Sequence, residues 1–328
     1  MSAPILLSRS DITKLMSPGD YLEAVERAFL ASKTGCAPSP PPLHISGTDG
    51  GAFHAKGAAL FGRRNVAAVK LNGNFPANSQ HGLPTIQGVI VLCDAQNGSV
   101  LAVLDSIEIT LRRTAAASAL AARHLARKDA RTLAIFGAGA QAQPHIDALA
   151  SLFTLESARV WDIDSGKAGR FAEAATGQNG IRVESASRSE VTRGADIIVT
   201  CTTARTAFLT LDDCAPGSFV AAVGADNPAK SEITPALMAK SRVVVDVLAQ
   251  ALTMGDLHHA VDAGAMRAEG AHADLGDILS GAKPGRTDDS DVFVFDSTGT
   301  GIQDVASALV VYERAVARGV GTAFEFAA

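Results

Sequence analysis

Residues 132–146 join an apolar strand to a glycine turn and then to a helix, and this order allows few folds. Gly137 and Gly139, with Ala142 in the third place, give the pattern G-x-G-x-x-A. The first glycine makes a tight turn, the second lets backbone N–H groups approach a pyrophosphate, and the small third residue lets helix pack on strand. The pattern predicts a dinucleotide site, with a merely structural turn as the alternative. We expect the pyrophosphate contacts to come from Gly137, Gly139, Ala140 and Gln141.

A second predicted strand, at 158–161, ends in Asp162. An acidic residue about twenty positions past the glycines is placed to accept hydrogen bonds from both ribose hydroxyls of an adenosine. Because a carboxylate there repels a 2′-phosphate, the sequence favours NAD over NADP. Lys167 and Arg170 lie close enough in sequence to weaken that preference, so NADP stays an alternative.

From residue 132 onward, strands and helices alternate with the spacing of βαβ units. The predicted strands lie at 133–136, 158–161, 181–184, 197–200, 219–223, 243–246 and 292–295. This alternation is typical of a doubly wound parallel sheet of the Rossmann type.

The first hundred residues follow another pattern. Strand-like runs at 52–56, 66–71, 85–92 and 99–104 are joined by short turns, which indicates an antiparallel sheet. Helical patterns follow at 107–125 and at about 301–318, and we expect the last helix to pack on this sheet. The sequence therefore predicts an α/β fold in which a Rossmann-type domain, residues 121–301, is inserted into a second α+β domain, residues 1–120 plus 302–328.

Composition argues against several classes of partner. Hydrophobic residues make up 47% of the chain and charged residues 19%, as in globular proteins. The net charge of −5 and the lack of a Lys/Arg cluster argue against nucleic acid and anionic membranes. No apolar stretch reaches the ~18 residues of a membrane span, and the N-terminus lacks a basic signal region, so we expect a cytoplasmic protein. The four cysteines show no zinc-binding spacing, so no metal is expected.

Six segments in the same order resemble the ornithine cyclodeaminase/mu-crystallin family. They lie at 69–74, 82–85, 111–119, 137–142, 223–230 and 295–299. The resemblance covers nearly the whole chain. It implies a homodimer whose N-terminal sheets form the interface, an NAD(P) site, and chemistry on a small α-amino or α-imino acid.

Two basic residues gain a role from this resemblance. Lys70 lies inside an apolar strand, where a lysine is costly to bury; the alternative is an edge-strand lysine that reaches solvent. The matching family lysine contacts the substrate carboxylate or the reacting nitrogen. Arg113, at the opening of a helix of small residues, occupies the family's carboxylate-clamp position, whereas Arg112 suits a surface ion pair.

The resemblance also assigns residues around the substrate and the cofactor. Asp226 follows the strand at 219–223 and would transfer a proton or polarise an imine; the alternative is an aspartate that caps a loop. Thr85 would add a hydroxyl contact to the substrate carboxylate; the alternative is an ordinary β-branched strand residue. Thr114 and Ser118 would help to hold the cofactor phosphate. The nicotinamide end would be lined by Thr202, Thr203, Ser297, Thr298 and Gly299.

One departure from the family concerns residues 53–57. Ornithine cyclodeaminases carry a glutamate in this segment, where this chain has His54 and Lys56. A carboxylate suits the δ-ammonium of ornithine, and two basic groups on one strand face do not. Two basic groups suit a substrate that carries a second acidic or hydroxyl group, or a substrate without any second functional group. The alternative for His54 is a histidine that only packs in the core or at the surface.

The leading interpretation is an NAD(P)H-dependent reductase of small α-imino acids such as 1-pyrroline-2-carboxylate, or an amino-acid dehydrogenase in the reverse direction. Lys70, Arg113, Thr85, Lys56 and His54 would bind the substrate, with Asp226 and Lys70 catalytic. One alternative is an ornithine cyclodeaminase, which releases ammonia without net oxidation of its bound NAD. Another is a binding protein like mu-crystallin that holds nucleotide and ligand with little turnover.

Overall fold

A computed structural model describes residues 3–326, except for the side chain of Ser79. The chain divides into two compact units. The first unit comprises Met1–Arg113 and Thr300–Ala328, and the second comprises Thr114–Gly299.

Both units combine strands with helices. The strands, in chain order, are β1 (Ile5–Leu7), β2 (Leu43–Ser46), β3 (Ala52–Leu60), β4 (Val66–Asn74), β5 (Ile86–Asp94), β6 (Val100–Asp105), β7 (Thr132–Phe136), β8 (Ser157–Trp161), β9 (Arg182–Ser185), β10 (Ile197–Thr200), β11 (Phe219–Ala222), β12 (Arg242–Val245), β13 (Ala273–Asp274), β14 (Phe293–Asp296) and β15 (Thr322–Ala323). The helices are α1 (Arg9–Leu15), α2 (Pro18–Lys33), α3 (Ser106–Leu125), α4 (Ala142–Ala150), α5 (Ser165–Ala175), α6 (Pro235–Lys240), α7 (Leu248–Ala251), α8 (Asp256–Asp262), α9 (Leu275–Leu279) and α10 (Gly301–Arg318).

The sheet of the first unit has the order β15-β1-β6-β5-β4-β3-β2. Strands β2 to β6 pair antiparallel, which confirms the predicted hairpins. The sheet is nevertheless mixed, because β1 pairs parallel with β6. Between β1 and β6 the chain passes through α1, α2 and the strands β2 to β5, and a long connection of this kind allows parallel pairing.

Helix α10 packs on β3, β4 and β5, as expected for the last helix. The approach is close, since a Cβ on Gly301 would lie 2.5 Å from the carbonyl oxygen of Gly57. Helix α3 begins at Ser106, where Asp105 Oδ1 accepts hydrogen bonds from the first turn. The helix predicted at 107–125 is thus confirmed, but Arg113 lies two turns inside it and not at its opening.

The second unit holds an eight-stranded sheet of order β13-β12-β14-β11-β10-β7-β8-β9, with every pair parallel. All seven predicted strands are present. The eighth, β13, has two residues, too few to produce a periodic signal. The strands carry continuous apolar runs, and Phe136, Phe219, Phe293 and Phe295 are fully buried, as expected for a sheet covered on both faces.

Within residues 3–326, no helix combines the length and the apolar character that a membrane crossing requires. The same residues contain no group of three or more His, Cys, Asp or Glu side chains that could hold a metal ion.

Candidate functional site

Three charged side chains of the first unit form a buried cluster. Lys70 Nζ lies 2.7 Å from Asp304 Oδ2, and Arg113 Nε donates a 3.0 Å hydrogen bond to Asp304 Oδ1. Arg113 Nη1 donates a second bond, of 2.8 Å, to Gln303 Oε1. Lys70 and Arg113 are each only 4% exposed, and Asp304 is 1% exposed. Two buried cations thus share one carboxylate.

The charges in this cluster shift one another's pKa. Burial, followed by the charge of Arg113, lowers the pKa of Lys70 to about 7. Burial by itself would raise the pKa of Asp304, but the charges of Lys70 and Arg113 outweigh it and hold that pKa below its usual value. Near neutral pH, Asp304 is therefore ionised, and Lys70 has the pKa of an effective proton donor.

Asp304 was not predicted from the sequence. This residue lies in the first turn of α10, in phase with the buried Ala308, Val311 and Ala315. A carboxylate in a first helical turn is common because it interacts favourably with the helix dipole. Its place within an apolar stripe was the signal that could have marked it for another role.

Both basic residues of β3 lie on the same face of the sheet as Lys70. In the antiparallel pair of β3 and β4, Lys56 lies opposite Lys70 and His54 lies opposite Asn72. Residues two apart on a strand share a face, so the register aligns all four on one side. His54 Nδ1 is 3.5 Å from His44 Nδ1 on β2. The structure thus brings Lys56 and His54 to the face that carries the cluster.

Thr85 does not belong to a strand, contrary to the predicted run at 85–92. Strand β5 begins at Ile86, and Thr85 is an exposed residue whose carbonyl accepts a 2.8 Å hydrogen bond from the Phe75 N–H. Pro84 has no N–H to donate to a ladder, so regular pairing begins only after it.

The glycine turn of the second unit fits a pyrophosphate. Gly137 follows β7 with a φ of +100°, and a Cβ there would lie 2.8 Å from the carbonyl oxygen of Cys201, so the position requires glycine. A Cβ on Gly139 would meet no heavy atom of the described chain within 4 Å, which leaves room for a phosphate. Gln141 Oε1 is buried without a hydrogen-bond partner among the described residues, so it offers an acceptor to a ligand hydroxyl.

Asp162 lies directly after β8, beside this turn. Its Oδ2 accepts a 2.8 Å hydrogen bond from the Ala138 N–H and lies 3.1 Å from Lys167 Nζ. Its Oδ1 accepts from the Asp164 N–H at 3.1 Å. Burial opposes ionisation, but these hydrogen bonds outweigh it and lower the pKa of Asp162. An ionised carboxylate therefore stands next to the glycine turn, together with the lysine that the sequence placed near it.

Ser118 was expected beside Thr114 at the cofactor phosphate, and the structure shows another role for it. Ser118 Oγ is fully buried, 3.0 Å from His145 Nε2, while His145 Nδ1 lies 2.8 Å from the carbonyl oxygen of Gln141. Burial lowers the pKa of His145 to about 4, so the ring is neutral and bridges the two groups. Ser118 fastens α3 to α4 because its hydroxyl faces that ring. Thr114 is also buried, in the same helix.

A buried glutamate that the sequence did not single out holds the ends of β10 and β11. Glu232 Oε1 accepts hydrogen bonds of 2.7 Å from the N–H and the hydroxyl of Thr202. Its Oε2 accepts bonds of the same length from Thr200 Oγ1 and the Gly224 N–H. A Cβ on Gly224 would lie 2.4 Å from Glu232 Oε1. Glu232 lies in a loop without periodic pattern, so the sequence offered no signal for it.

The residues predicted at the nicotinamide end follow two strands of this sheet, β10 and β14. Asp246 Oδ2, after β12, accepts a 2.7 Å hydrogen bond from the Gly299 N–H, and Asp246 Oδ1 accepts one of 2.8 Å from Thr298 Oγ1. Ser297 Oγ is buried without a partner among the described residues and so has a hydroxyl to offer. Thr203 is exposed.

Two more carboxylates are buried in this unit. Asp256 Oδ1 accepts from the N–H groups of Glu232 and Ile233, and Asp296 Oδ2 accepts from the Leu257 N–H. Burial raises the pKa of Glu232 to about 7 and that of Asp256 to about 6, and it also raises the pKa of Asp296. Within the described residues 114–299, no buried Lys or Arg accompanies these groups.

Asp226 lies on the turn that follows β11, where the sequence predicted a cleft residue. Its side chain is about half exposed, and its Oδ1 forms a 2.8 Å ion pair with Lys230 Nζ. The turn thus presents a carboxylate to solvent at the carboxyl end of a parallel strand, the edge at which ligands of such sheets bind.

The parallel sheet, the glycine turn and Asp162 define a Rossmann-type dinucleotide-binding protein. The chain belongs to the ornithine cyclodeaminase/mu-crystallin family, whose profile matches residues 3–319. This result confirms the resemblance seen in the six sequence segments.

Three relatives illustrate the similarity. The alanine dehydrogenase of Archaeoglobus fulgidus is 34% identical over 322 residues, 98% of each chain. The structure of the Thermococcus litoralis Delta(1)-pyrroline-2-carboxylate reductase in complex with NADH and L-proline superposes with a TM-score of 0.94 at 34% identity, covering 98% of this chain and 100% of that one. The iminosuccinate reductase of Paracoccus denitrificans in complex with NAD⁺ gives 0.90 at 30% identity, covering 99% and 100%.

Proposed function

We propose that this protein is an NAD-dependent reductase of small α-imino acids, which also runs in reverse as an amino-acid dehydrogenase. The observation that carries the proposal is the cluster of Lys70, Arg113 and Asp304, in which one carboxylate faces two buried cations. An excess of buried positive charge is costly unless a ligand neutralises it. The names of the relatives, reductases and dehydrogenases of imino and amino acids, support the same chemistry.

Arg113 and Lys70 bind the substrate carboxylate in this proposal. Arg113 uses two of its five N–H donors on Asp304 and Gln303, so its planar group keeps donors for a ligand carboxylate. Asp304 holds both cations in fixed positions, and a fixed clamp sets the position of the substrate's α-carbon.

Two of the chain's own residues act at the substrate nitrogen. The Asp226 carboxylate keeps the nitrogen protonated by stabilising its positive charge, and Lys70, with a pKa of about 7, serves as the proton donor. When bound, NADH would supply the hydride for the C=N carbon. Gly137, Gly139 and Ala140 would hold its pyrophosphate, and Asp162 would accept hydrogen bonds from its adenosine ribose.

A cyclodeaminase is the second candidate, and the register of β3 argues against it. The δ-ammonium of bound ornithine would meet Lys56 or His54 on the face where Lys70 lies. Two like charges ~4 Å apart at an effective dielectric constant near 20 repel by about 4 kcal/mol. We therefore expect ornithine to be a poor substrate.

We also propose a homodimer formed through the outer face of the first sheet. A cross-strand row runs through Leu43, Ala55, Leu71 and Val89, and Leu43, Leu71 and Val89 are 57%, 41% and 41% exposed. Exposed apolar rows of this kind mark protein interfaces. One solved relative is described as an alanine dehydrogenase dimer with bound NAD, which supports the same assembly.

The decisive assay follows NADH oxidation with 1-pyrroline-2-carboxylate, beside release of ammonia and proline from ornithine with catalytic NAD⁺. We expect stoichiometric NADH oxidation in the first assay and little product in the second. Faster turnover of ornithine would make the protein a cyclodeaminase, and binding without turnover in either assay would make it a binding protein. In Asp226→Asn we expect turnover to fall by roughly 10²–10⁴ while nucleotide binding persists.

A further inference from the structure

Gln303 is the second partner of Arg113 in the buried cluster of the first unit. Its Oε1 accepts a 2.8 Å hydrogen bond from Arg113 Nη1, while the neighbouring Asp304 accepts a 3.0 Å bond from Arg113 Nε. Both acceptors lie in the first turn of α10. Because they bind two different nitrogens of one planar group, they restrict both the rotation and the tilt of the guanidinium.

The orientation of the Gln303 amide follows from this contact. An arginine only donates hydrogen bonds, so the amide oxygen faces Nη1 and the amide nitrogen faces away from it. Gln303 is fully buried, and its Nε2 has no hydrogen-bond partner among the described residues. A buried donor without a partner destabilises the fold. Stability alone therefore does not explain a glutamine at this position.

Gln303 is neutral where a carboxylate would fit. A glutamate has the same side-chain length and would also present an oxygen to Arg113 Nη1, and it would balance the two positive charges of the cluster. With glutamine, Asp304 supplies one negative charge against Lys70 and Arg113, so one positive charge remains in excess within the cluster. A charge held out of water is costly until an opposite charge pairs with it.

We propose that Gln303 is a positioning residue for the substrate carboxylate. Its neutral amide orients Arg113 and leaves the excess positive charge of the cluster for the carboxylate to neutralise. Gln303 thereby makes the site selective for anionic substrates over their neutral amides. This inference rests on the function proposed above and adds to it a residue that acts through Arg113.

The first test replaces Gln303 by a charged and by an apolar residue of similar length. In Gln303→Glu, the new carboxylate pairs with Arg113 and repels the ligand, so KM for 1-pyrroline-2-carboxylate should rise roughly 100-fold. In Gln303→Met, the contact is lost without a new charge, and KM should rise about tenfold. In both variants kcat should change less than KM does, because the groups that act at the substrate nitrogen are intact.

Thermal unfolding of the NADH-bound protein gives a second readout. L-Proline, the product of the reduction, should protect the wild type more than the neutral L-prolinamide does, and Gln303→Glu should lose that difference. Without either compound, Gln303→Glu should unfold at a higher temperature than the wild type, because its cluster is balanced. A glutamine with only a structural role would instead make this variant less stable.

Ser307→Ala is the matched control, since it removes another fully buried polar group one turn further along α10. It should keep the wild-type KM and the wild-type difference between proline and prolinamide. A wild-type KM in Gln303→Glu, a lower unfolding temperature of this variant, or equal protection of the wild type by the two compounds overturns the inference. A lack of NADH oxidation by the wild type overturns the proposed function, and the comparison of proline with prolinamide then still decides the role of Gln303.

Discussion

The two units of this protein bury opposite charges. The first unit buries Lys70 and Arg113 around the single carboxylate of Asp304. The second buries Glu232, Asp256 and other carboxylates, which accept hydrogen bonds from backbone N–H groups and hydroxyls. In the first unit the charges are paired but unbalanced, whereas in the second the pKa values of buried acids rise toward neutrality.

Under the proposed function, this difference distinguishes a ligand site in the first unit from a scaffold in the second. A buried carboxyl group with a raised pKa is neutral over part of the physiological range, so it can join strand ends by hydrogen bonds without a counter-ion. An ion cluster with an excess of buried positive charge is costly by itself and becomes more favourable when an anion binds. The second unit thus uses acids to fix the loops after its strands, and the first unit retains buried positive charge that a substrate anion neutralises in the proposed function.

The largest expected effect is on the free energy of unfolding when a buried acidic residue is replaced by its amide. We compare this change in the two units. Asp304→Asn should lower the free energy of unfolding by about 3–5 kcal/mol, because it leaves two buried cations without a counter-charge. Glu232→Gln should lower it by less, about 1–3 kcal/mol at pH 6, because no buried charge is left unpaired and only one of the two backbone N–H groups that Glu232 binds faces the amide nitrogen. Urea unfolding at pH 6 measures both. Equal losses would remove the distinction between the two units.

The next effect is the pH dependence of stability in the second unit. The pKa of Glu232 rises from 4.5 in the unfolded chain to about 7 in the folded protein. The folded state therefore binds more protons, and the associated stabilisation is complete below pH 4.5 and is lost as the pH rises through 7.

Between pH 4.5 and 7.5, the wild type should lose about 3 kcal/mol of unfolding free energy relative to Glu232→Gln, at about 1.4 kcal/mol per pKa unit. Unfolding of both proteins across this range measures the difference. Glu173→Gln, on the exposed side of α5, serves as the surface control. Parallel pH curves for wild type and Glu232→Gln would show that this glutamate is ionised throughout.

A smaller effect concerns the carboxylate of Asp162 in the second unit and the preference for NAD over NADP. Asp162→Ser should relax the preference for NAD over NADP by on the order of 1–3 kcal/mol, because the carboxylate that repels a 2′-phosphate is lost. Titration of both nucleotides into wild type and variant measures this change. A wild type that already prefers NADPH would mean that Lys167, paired with Asp162, controls the pocket instead.

The smallest effect is the pH dependence of activity in the first unit. With the pKa of Lys70 near 7, kcat/KM for imine reduction should fall about tenfold per pH unit above that value as the ammonium loses its proton. In Lys70→Arg the group stays charged, so the same limb should disappear. Profiles of both proteins on one substrate cancel the titration of the imine itself. Identical profiles would assign the limb to another group.

Much of the fold follows from local pattern. The seven predicted parallel strands and the hairpins of β3 to β6 were found because apolar runs and turn residues are properties of short segments. Lys70 and Arg113 were found by resemblance. Asp304 and Glu232 were missed because a single acidic residue in a first helical turn or in a loop has an ordinary surface explanation.

The sequence by itself determined the two kinds of sheet, the glycine turn with its Asp162 and the family, since each depends on residues close together in the chain. Only the tertiary structure decided which carboxylate faces the cations. Arg113 and Asp304 are 191 positions apart, and the pairing exists because α10 returns to pack on the N-terminal sheet. The same packing removes water from the cluster and lowers the pKa of Lys70. Burial of this kind is a property of the assembled fold, and no local segment carries it.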